Sequence, residues 1–329
     1  MNLEPDPIAN TVLVLTEPSD KSADLVVREL ERRDVQVFRA DTGDFPLSLS
    51  VSARFDGSWH GEIRSPDGSV DLRDIRSVYV RRPTAFTFPE AMTDAEQRFA
   101  AREARRAVGG LLMSLPWCSW VNDPSKAADA EYKPLQLATA TACGLHVPRT
   151  VITNVPGDGA KQGAFLGGSV VYKTLSGASV PDGQRVSLIY TTPITVPDMS
   201  DLRVALTAHQ FQERVPKVRD VRATVVGKQV FAANILVDDE TAGELLDWRA
   251  DYKALRYEPV SLPASVESSL LTMTERLGLS FAAADFVVTA EGKHYFVDLN
   301  PSGQWGWIED ATSLPIAEAI AALLTGEDR

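Results

Sequence analysis

Apolar and polar positions alternate regularly along the first third of the chain. Residues 11–15 form a short apolar run, residues 22–33 carry apolar side chains at helical spacing, and residues 35–39 form a second apolar run. A strand, a helix and a strand of these lengths predict a βαβ unit with parallel strands. Residues 47–63 then predict a hairpin, and residues 93–113 predict a long helix.

The middle of the chain has shorter elements separated by small residues. The pattern predicts a helix over residues 131–142, strands over residues 150–153, 170–174 and 188–191, and loops over residues 157–168 and 176–184. The first of these segments is rich in glycine and the second in glycine and serine, residues that favour turns. This region therefore predicts a set of short strands and loops around one helix.

Two hairpins dominate the last third. One joins residues 220–226 and 229–236 through Gly227-Lys228, and the other joins residues 283–288 and 295–300 through a turn that contains Gly292. Helices are predicted over residues 267–277 and 314–324.

The last hairpin carries three side chains with hard oxygen atoms. Asp298 and Asn300 are two residues apart, so on a strand they share a face, and Asp285 lies on the partner strand. Carboxylates gathered in an apolar hairpin repel one another unless a cation neutralises them. Such oxygen ligands suit Mg²⁺, which gives one interpretation. The other is a solvated hairpin with ordinary surface acids.

Composition places the chain among globular proteins. Its 329 residues are 44% hydrophobic and 24% charged, enough for two or three lobes. Cys118 and Cys143 give neither a disulfide framework nor metal-ligand spacing, which fits a reducing cytoplasm. No apolar run is long enough to span a membrane. The net charge of −12 argues against general nucleic-acid binding. We therefore expect a cytoplasmic protein with neither membrane nor nucleic acid as a partner.

Two lysines lie at positions that suit phosphate binding. Lys133 is near the start of the predicted helix over residues 131–142, and Lys173 ends an apolar strand just before the small-residue loop. An ammonium group facing loop amides supplies both charge and hydrogen-bond donors. Each lysine alone is more commonly a surface side chain whose charged end reaches solvent.

A strand-like linker and two arginines complete the candidate residues. Residues 211–215 form a linker whose backbone groups and carboxylate can meet the edge of a ligand. Arg222 follows on the next strand, and Arg249 ends the polar loop Asp247-Trp248-Arg249. Arginine recognises phosphate or carboxylate through two parallel hydrogen bonds, although each arginine alone is also compatible with a surface ion pair.

Taken in order along residues 122–303, these residues resemble the ATP-grasp superfamily. The resemblance implies an α/β fold with an N-terminal βαβ pre-ATP-grasp lobe and two α+β lobes that sandwich the nucleotide. The implied lobes are residues 1–120, 121–213 and 214–329. No glycine-rich dinucleotide fingerprint follows the first strand, so the first lobe is not predicted to bind a dinucleotide.

Shorter motifs narrow the resemblance. Four short motifs are similar to those of the ribosomal peptide maturases. They are Val-Arg-Arg-Pro at residues 80–83, Asn-Asp-Pro at 122–124, Asp-Trp-Arg at 247–249 and Asn-Pro-Ser-Gly-Gln-Trp at 300–305. These maturases are the microviridin-type and graspetide ligases, which form ω-ester or ω-amide bonds. Two features depart from the superfamily pattern: Asp298 stands where many members have glutamate, and the loop over residues 176–184 lacks a dense glycine run.

The resemblance implies a role for each candidate. Lys133 and Lys173 would contact ATP phosphates, and Gln212, Glu213 and Val215 would line the adenine and ribose pocket. Asp285, Asp298 and Asn300 would hold Mg²⁺. Arg222 and Arg249 would stabilise the transferring phosphoryl group, with Arg81, Arg82, Asp247 and Trp248 on the substrate side.

The implied activity is ATP-dependent closure of ester or amide rings in a precursor peptide that has a leader and an acidic core. The resemblance also allows a homodimer. Two alternatives stay open at this stage. One is a ligase that adds an amino acid to a small molecule or a protein tail, and the other is a non-catalytic protein that binds nucleotide or peptide.

Overall fold

The structure is a computed structural model that describes residues 9–177, 179–182, 185–237, 246–250 and 255–327. Its first part contains β1 (Thr11–Thr16), α1 (Lys21–Glu31), β2 (Gln36–Ala40), β3 (Ser50–Phe55), β4 (Trp59–Ser65), β5 (Gly68–Asp71), β6 (Ile75–Arg82), α2 (Asp94–Ala104), α3 (Gly110–Met113) and β7 (Ser119–Val121).

A parallel sheet with the strand order β2-β1-β6-β7 forms the centre of this part. Helix α1 begins at Asp20, whose carboxylate accepts hydrogen bonds from the Ser22 and Ala23 amides. The predicted βαβ unit and the predicted hairpin, now β3–β4, are confirmed. The predicted long helix is confirmed as α2 and α3, which a π-turn at residues 105–109 separates.

The middle of the chain folds around a second sheet. Its elements are α4 (Pro124–Ala130), α5 (Lys133–Ala142), β8 (Thr150–Thr153), α6 (Gly159–Phe165), β9 (Val170–Lys173), β10 (Ser179–Asp182), β11 (Arg185–Leu188), β12 (Thr192–Ile194) and β13 (His209–Glu213). The sheet has the order β12-β9-β13-β8, and β10 and β11 form a separate hairpin.

Three predictions in this region are wrong. Residues 157–168, predicted as loop, contain helix α6. The strand predicted over residues 188–191 is absent, since β11 ends at Leu188 and β12 begins at Thr192. Part of the loop predicted over residues 176–184 is strand β10, while residues 178, 183 and 184 lie outside the described residues. Helix α4, which begins with Pro124 at its first turn and Asp123 as its cap, was not predicted.

The last part of the chain supplies a third sheet. Its elements are β14 (Arg219–Val226), β15 (Gln229–Val237), β16 (Leu255–Val260), α7 (Ala264–Arg276), β17 (Phe281–Val288), β18 (His294–Asn300), α8 (Gly306–Thr312) and α9 (Ile316–Thr325). The strands are antiparallel in the order β16-β15-β14-β17-β18, and both predicted hairpins are confirmed.

One apolar core joins the first and third sheets. Val26 and Leu30 of α1 pack with Ile320 of α9 and with Trp305, and all four are fully buried. The middle sheet has its own small core around Met199. Strand β7 ends at 121 and β13 at 213, beside the predicted lobe boundaries, which stay predictions. None of the described helices is long and apolar enough to cross a membrane.

Candidate nucleotide and metal site

A cleft of about 670 Å³ lies where the middle sheet meets the edge strand β18. Its lining includes Lys133, Lys173, Gln210, Arg249, Asp298 and Asn300. A smaller hollow of about 70 Å³ shares Lys173, Arg249 and Asp298 with it and adds Gln212, Glu213, Val215, Asp247, Trp248 and Asp285. The fold thus brings most of the candidate residues together, although they come from separate segments of the middle and last parts of the chain.

The register of the last hairpin brings two carboxylates together. Asp285 on β17 lies directly opposite Asp298 on β18, and the pairing shifts by one residue just after Asp285. Asp285 is buried and Asp298 is half-buried. Asn300 is exposed at the end of β18, where its Oδ1 accepts a hydrogen bond from the Ser302 amide at 2.8 Å.

Cationic side chains surround this pair. Lys133, at the start of α5, forms an ion pair with Asp298 Oδ1. Arg222 is opposite Asp285 in the β14–β17 register, and its Nη1 donates to Asp285 Oδ1 at 2.8 Å. Lys173, at the end of β9, donates to the Val297 carbonyl at 3.0 Å. Each carboxylate is therefore neutralised by a cation from a different element.

Arg249 is fixed by its own neighbours. Its Nε and Nη2 each donate to a carboxylate oxygen of Asp247 at 2.8 Å, and the guanidinium lies 6.0 Å from the centre of the Trp248 ring. The Thr191 amide also donates to Asp247 at 3.0 Å. Burial alone would raise the pKa of Asp247, but these contacts, Arg249 first, lower it to about 2. Trp248 is itself buried against Trp307.

The site is a local cationic centre in an acidic chain. Burial would raise the pKa of Asp298, but Lys133, Lys173 and Arg249 outweigh it and hold that pKa below its usual value. Burial lowers the pKa of Lys173, and Asp298 opposes that change. Among the described residues that line the larger cleft, the cations Lys133, Lys173 and Arg249 exceed the carboxylates Glu131 and Asp298 by one charge, whereas the whole chain carries −12. The arrangement suits a polyanion such as a triphosphate.

The predicted linker over residues 211–215 begins within β13, and its side chains are tied to the middle sheet. Gln212 is buried and donates to Thr150 Oγ1 at 2.9 Å. Glu213 accepts from Arg149 through the amide at 3.0 Å and Nε at 2.5 Å. Because the Glu213 carboxylate is engaged by Arg149, the linker offers the smaller hollow mainly its backbone and the Val215 side chain.

The two arginines at the end of β6 differ in their exposure. Arg81 is only 3% exposed, and it donates to the Ser302 carbonyl and to Gln304 Oε1, each at 2.6 Å. The expectation that Arg81 faces a substrate does not agree with this burial, because its guanidinium is held inside the fold by Ser302 and Gln304. Arg82 is exposed and lies 3.4 Å from Glu17.

Two residues near the cleft were missed by sequence reasoning. Lys217 contacts Asp220 at 2.5 Å and the Leu246 carbonyl at 2.9 Å. Burial raises the pKa of Asp220 to about 6, against the lowering effect of Lys217. Gln136 hydrogen-bonds both backbone groups of Leu299. The only sequence signals were the spacing of Lys217 before Asp220 and of Gln136 one turn after Lys133.

The oxygen ligands fit a magnesium ion. Within the described ranges, no group of three or more His, Cys, Asp and Glu side chains could hold a metal. Asp285 and Asp298, with the Asn300 oxygen, give the two carboxylates that Mg²⁺ commonly takes in addition to nucleotide phosphates. Among the described residues, the contacts of both carboxylates use Oδ1, which leaves each Oδ2 for a cation.

A cationic, acid-paired cleft between two antiparallel sheets, beside a parallel βαβ sheet, defines the ATP-grasp class of proteins. Comparison with known proteins agrees with this class. The family model described as the MvdD pre-ATP grasp domain matches residues 11–128. No curated protein matches the chain.

Solved structures match nearly the whole length. The macrocyclase MdnC from Microcystis aeruginosa, bound with the precursor peptide MdnA, is 27% identical, with 96% of this chain and 99% of that chain covered and a TM-score of 0.83. A Chryseobacterium gregarium RiPP-associated ATP-grasp ligase, in complex with ADP and a leader and core peptide, is 26% identical, with 97% of each chain covered and a TM-score of 0.87. The macrocyclase MdnB from Microcystis aeruginosa is 26% identical over 96% of this chain and 99% of that chain, with a TM-score of 0.81.

The chain therefore has the ATP-grasp fold with an N-terminal pre-ATP-grasp domain, as predicted. Within that superfamily it resembles the ATP-grasp maturases of ribosomal peptides, and this predicted resemblance is also confirmed.

Proposed function

We propose that this protein is an ATP-dependent ligase that activates Asp or Glu side chains of a ribosomally made precursor peptide and closes ester or amide rings within it. The observation that carries the proposal is the cleft in which Lys133, Lys173, Arg222 and Arg249 surround the Asp285–Asp298 pair. The similar structures support the peptide as substrate, since MdnC is bound with its precursor and the Chryseobacterium ligase with ADP, leader and core.

In this proposal the nucleotide occupies the cleft and the smaller hollow together. The adenine lies against the linker at residues 212–215, where Gln212, Glu213 and Val215 line the hollow. The phosphates extend towards Lys133 and Lys173. Lys133 then exchanges its contact with Asp298 Oδ1 for a phosphate oxygen, which makes this second oxygen of the carboxylate available to a cation as well.

Magnesium belongs to the same site. Asp285, Asp298 and Asn300 would hold Mg²⁺, which supplies charge neutralisation to the phosphates when it is bound. Lys173, Arg222 and Arg249 add fixed positive charge around the position of the γ-phosphoryl group.

The chemistry proceeds in two displacements. A carboxylate oxygen of the peptide attacks the γ-phosphorus of ATP, the bond to the bridging oxygen breaks, and ADP leaves, which gives an acyl-phosphate. A Ser or Thr hydroxyl, or a Lys amine, then attacks the acyl carbon, loses its proton and expels inorganic phosphate. Arg249 is held by Asp247 and Trp248, so it can stabilise charge on the phosphoryl group without reorganising.

The remaining candidates belong to the peptide side. Asp247 and Trp248 border the smaller hollow, and Arg82 is exposed at the end of β6, where it can meet an acidic core residue. A homodimer is compatible with the proposal. We place the reaction in the cytoplasm, where newly made peptides and ATP are both present.

The test is mass spectrometry of an acidic candidate precursor after incubation with the protein, ATP and Mg²⁺. We expect the peptide to lose one water per ring and one ADP to form for each ring. A peptide that gains the mass of an amino acid would favour the alternative ligase activity, and no ADP release with any candidate would favour a binding protein.

A matched pair of variants tests the site itself. Asp298→Asn removes the charge at the centre of the cleft and is expected to lower turnover at least 100-fold, as loss of a central electrostatic group does elsewhere. Asp201→Asn changes a half-buried aspartate outside the cleft lining that also pairs with an arginine, Arg203, and is expected to keep turnover within about twofold. Equal turnover in both variants would contradict the assigned site.

A further inference from the structure

A buried glutamine links the helix of Lys133 to the strand of the acid pair. Gln136 is 1% exposed and lies on α5 one turn after Lys133. Its Nε2 donates to the Leu299 carbonyl at 2.8 Å and to the Ala130 carbonyl at 2.7 Å, and its Oε1 accepts from the Leu299 amide at 3.1 Å. The amide thereby makes contact through both its donor and its acceptor.

Leu299 lies between two of the candidate metal ligands, Asp298 and Asn300. Among the described strands, β18 is the edge strand of its sheet, and apart from a bridge between Tyr295 and His146 no strand pairs with its outer side. Gln136 supplies to Leu299 the donor and the acceptor that a further strand would supply. The same Leu299 amide is 2.9 Å from Asp298 Oδ1. A displacement of Gln136 would therefore move the backbone that carries both Asp298 and Asn300.

Helix α5 thus contacts β18 through side chains on two successive turns, one charged and one neutral. Lys133 makes a charged contact with Asp298, and Gln136 makes neutral contacts with the next residue. In the proposed function, Lys133 leaves Asp298 when phosphates bind. The Gln136 contacts do not depend on charge, so they persist and keep the helix at the same distance from the strand.

We propose that Gln136 is a positioning residue that holds the strand of Asp298 and Asn300 against the helix of Lys133, so that metal and phosphates are bound at one fixed separation. This inference rests on the proposed function. Residues behind metal ligands commonly change metal affinity by 10-fold to 100-fold when they are substituted. A purely structural amide would instead change stability and leave the metal-dependent part of nucleotide binding unaltered.

The test is calorimetric titration of the full chain with ADP, with and without Mg²⁺. Gln136→Met keeps the length of the side chain and removes its hydrogen bonds. We expect the Kd for ADP with Mg²⁺ to rise about tenfold, while the Kd for ADP without metal changes by less than about threefold. Gln97→Met is the matched control, because Gln97 is also a partly buried amide that donates to a backbone carbonyl, that of Met92, but it lies in the first lobe. Both constants should stay at the wild-type values in that variant.

Each result has one meaning. A Gln136→Met protein that unfolds at lower temperature but binds ADP with Mg²⁺ as the wild type does would overturn the inference, and so would equal losses with and without the metal. If Gln136→Met does not fold, Gln136→Asn keeps an amide in the interior, is shorter by one methylene, and should show the same selective loss. A wild-type protein that binds no ADP with Mg²⁺ would refute the proposed function instead.

Discussion

Gly303 occupies a position where a side chain has no room. A Cβ there would be 2.4 Å from the Ala283 Cβ and 2.7 Å from Arg222 Nη2. The same Arg222 nitrogen donates to the Gln304 carbonyl at 3.1 Å, so the chain after the last hairpin passes directly beside the guanidinium. Steric crowding therefore explains why the fourth position of the Asn-Pro-Ser-Gly-Gln-Trp motif is a glycine.

Gly303→Ala is expected to displace Arg222 from Asp285. Overpacking of a buried position costs about 1–3 kcal/mol of stability, and misplacing a catalytic group by about 1 Å can cost 100-fold in rate. We expect turnover to fall at least tenfold in the peptide assay. Gly157→Ala is the control, because nothing lies within 4 Å of a Cβ there. Unchanged turnover in Gly303→Ala would show that Arg222 tolerates the displacement.

Asp220 gives the stability of the protein a predictable pH dependence. Burial raises its pKa to about 6, so the folded chain holds this proton more tightly than the unfolded chain does. Its contribution therefore favours folding at low pH and is lost as the pH rises from about 4 through 6. We expect the unfolding free energy of the wild type, relative to Asp220→Asn, to fall by on the order of 2 kcal/mol between pH 4 and pH 7. Urea denaturation at several pH values measures this difference. Parallel pH profiles would contradict it, and Asp67→Asn, at an exposed acid, controls for net charge.

At the scale of elements, Arg149 connects the linker over residues 211–215 to the end of helix α6. Besides Glu213, it donates to the carbonyls of Phe165 and Leu166 at 2.6 and 3.3 Å. We expect Arg149→Ala to raise the KM for ATP about threefold to tenfold and to leave kcat within about twofold, because loss of a charge-assisted bond of this kind costs about 1 kcal/mol. Steady-state kinetics with ATP as the varied substrate measures both.

Two further variants separate this connection from general surface effects. Arg203→Ala removes an exposed arginine paired with Asp201 in the same sheet lobe and should leave the KM unchanged. Arg149→Ala combined with Glu213→Gln should raise the KM no further than Arg149→Ala alone, since the two side chains form one contact. A fully additive double variant would indicate that each acts on the nucleotide separately.

Helix α6 shows why local pattern did not determine every element. Its glycines predicted a loop, yet a Cβ at Gly159 would be 2.2 Å from Ser200 Oγ and one at Gly163 2.4 Å from the Val196 side chain. The glycines allow the helix to pack closely on residues 196–200, a contact between segments that the sequence pattern does not contain. Hairpins and the βαβ unit, by contrast, follow from alternation and turn residues alone.

At the candidate site, too, local features could be predicted from the sequence and long-range contacts could not. The hairpin that carries the acids could be predicted from its alternation and turn, but the one-residue shift that places Asp285 opposite Asp298 could not. The roles of Gln136 and Arg81 could not, because their partners Leu299 and Gln304 are 163 and 223 residues away. Only the closed fold brings those side chains to them.

At the scale of the whole molecule, the first and third sheets share one core. Helix α9 of the last part packs on α1 of the first part, and Trp305, after the last hairpin, is fully buried between them. The buried contacts of Arg81 with Ser302 and Gln304 join the same two parts. The first sheet is therefore a fixed support for the backbone beside Asn300 and Arg222, whereas the middle sheet has a separate core.

Ile320→Ala tests this shared core. Ile320 of α9 is fully buried, and a truncation of this kind costs about 2–5 kcal/mol. If the two parts form one cooperative unit, hydrogen exchange should accelerate in α1 as strongly as in α9, although α1 lies almost 300 residues earlier in the chain. Met199→Ala makes a comparable cavity in the core of the middle sheet and should leave exchange in α1 unchanged. Faster exchange confined to α9 in the Ile320 variant would mean that the first part is stable without the last, and the first sheet would then be free to move relative to Arg222.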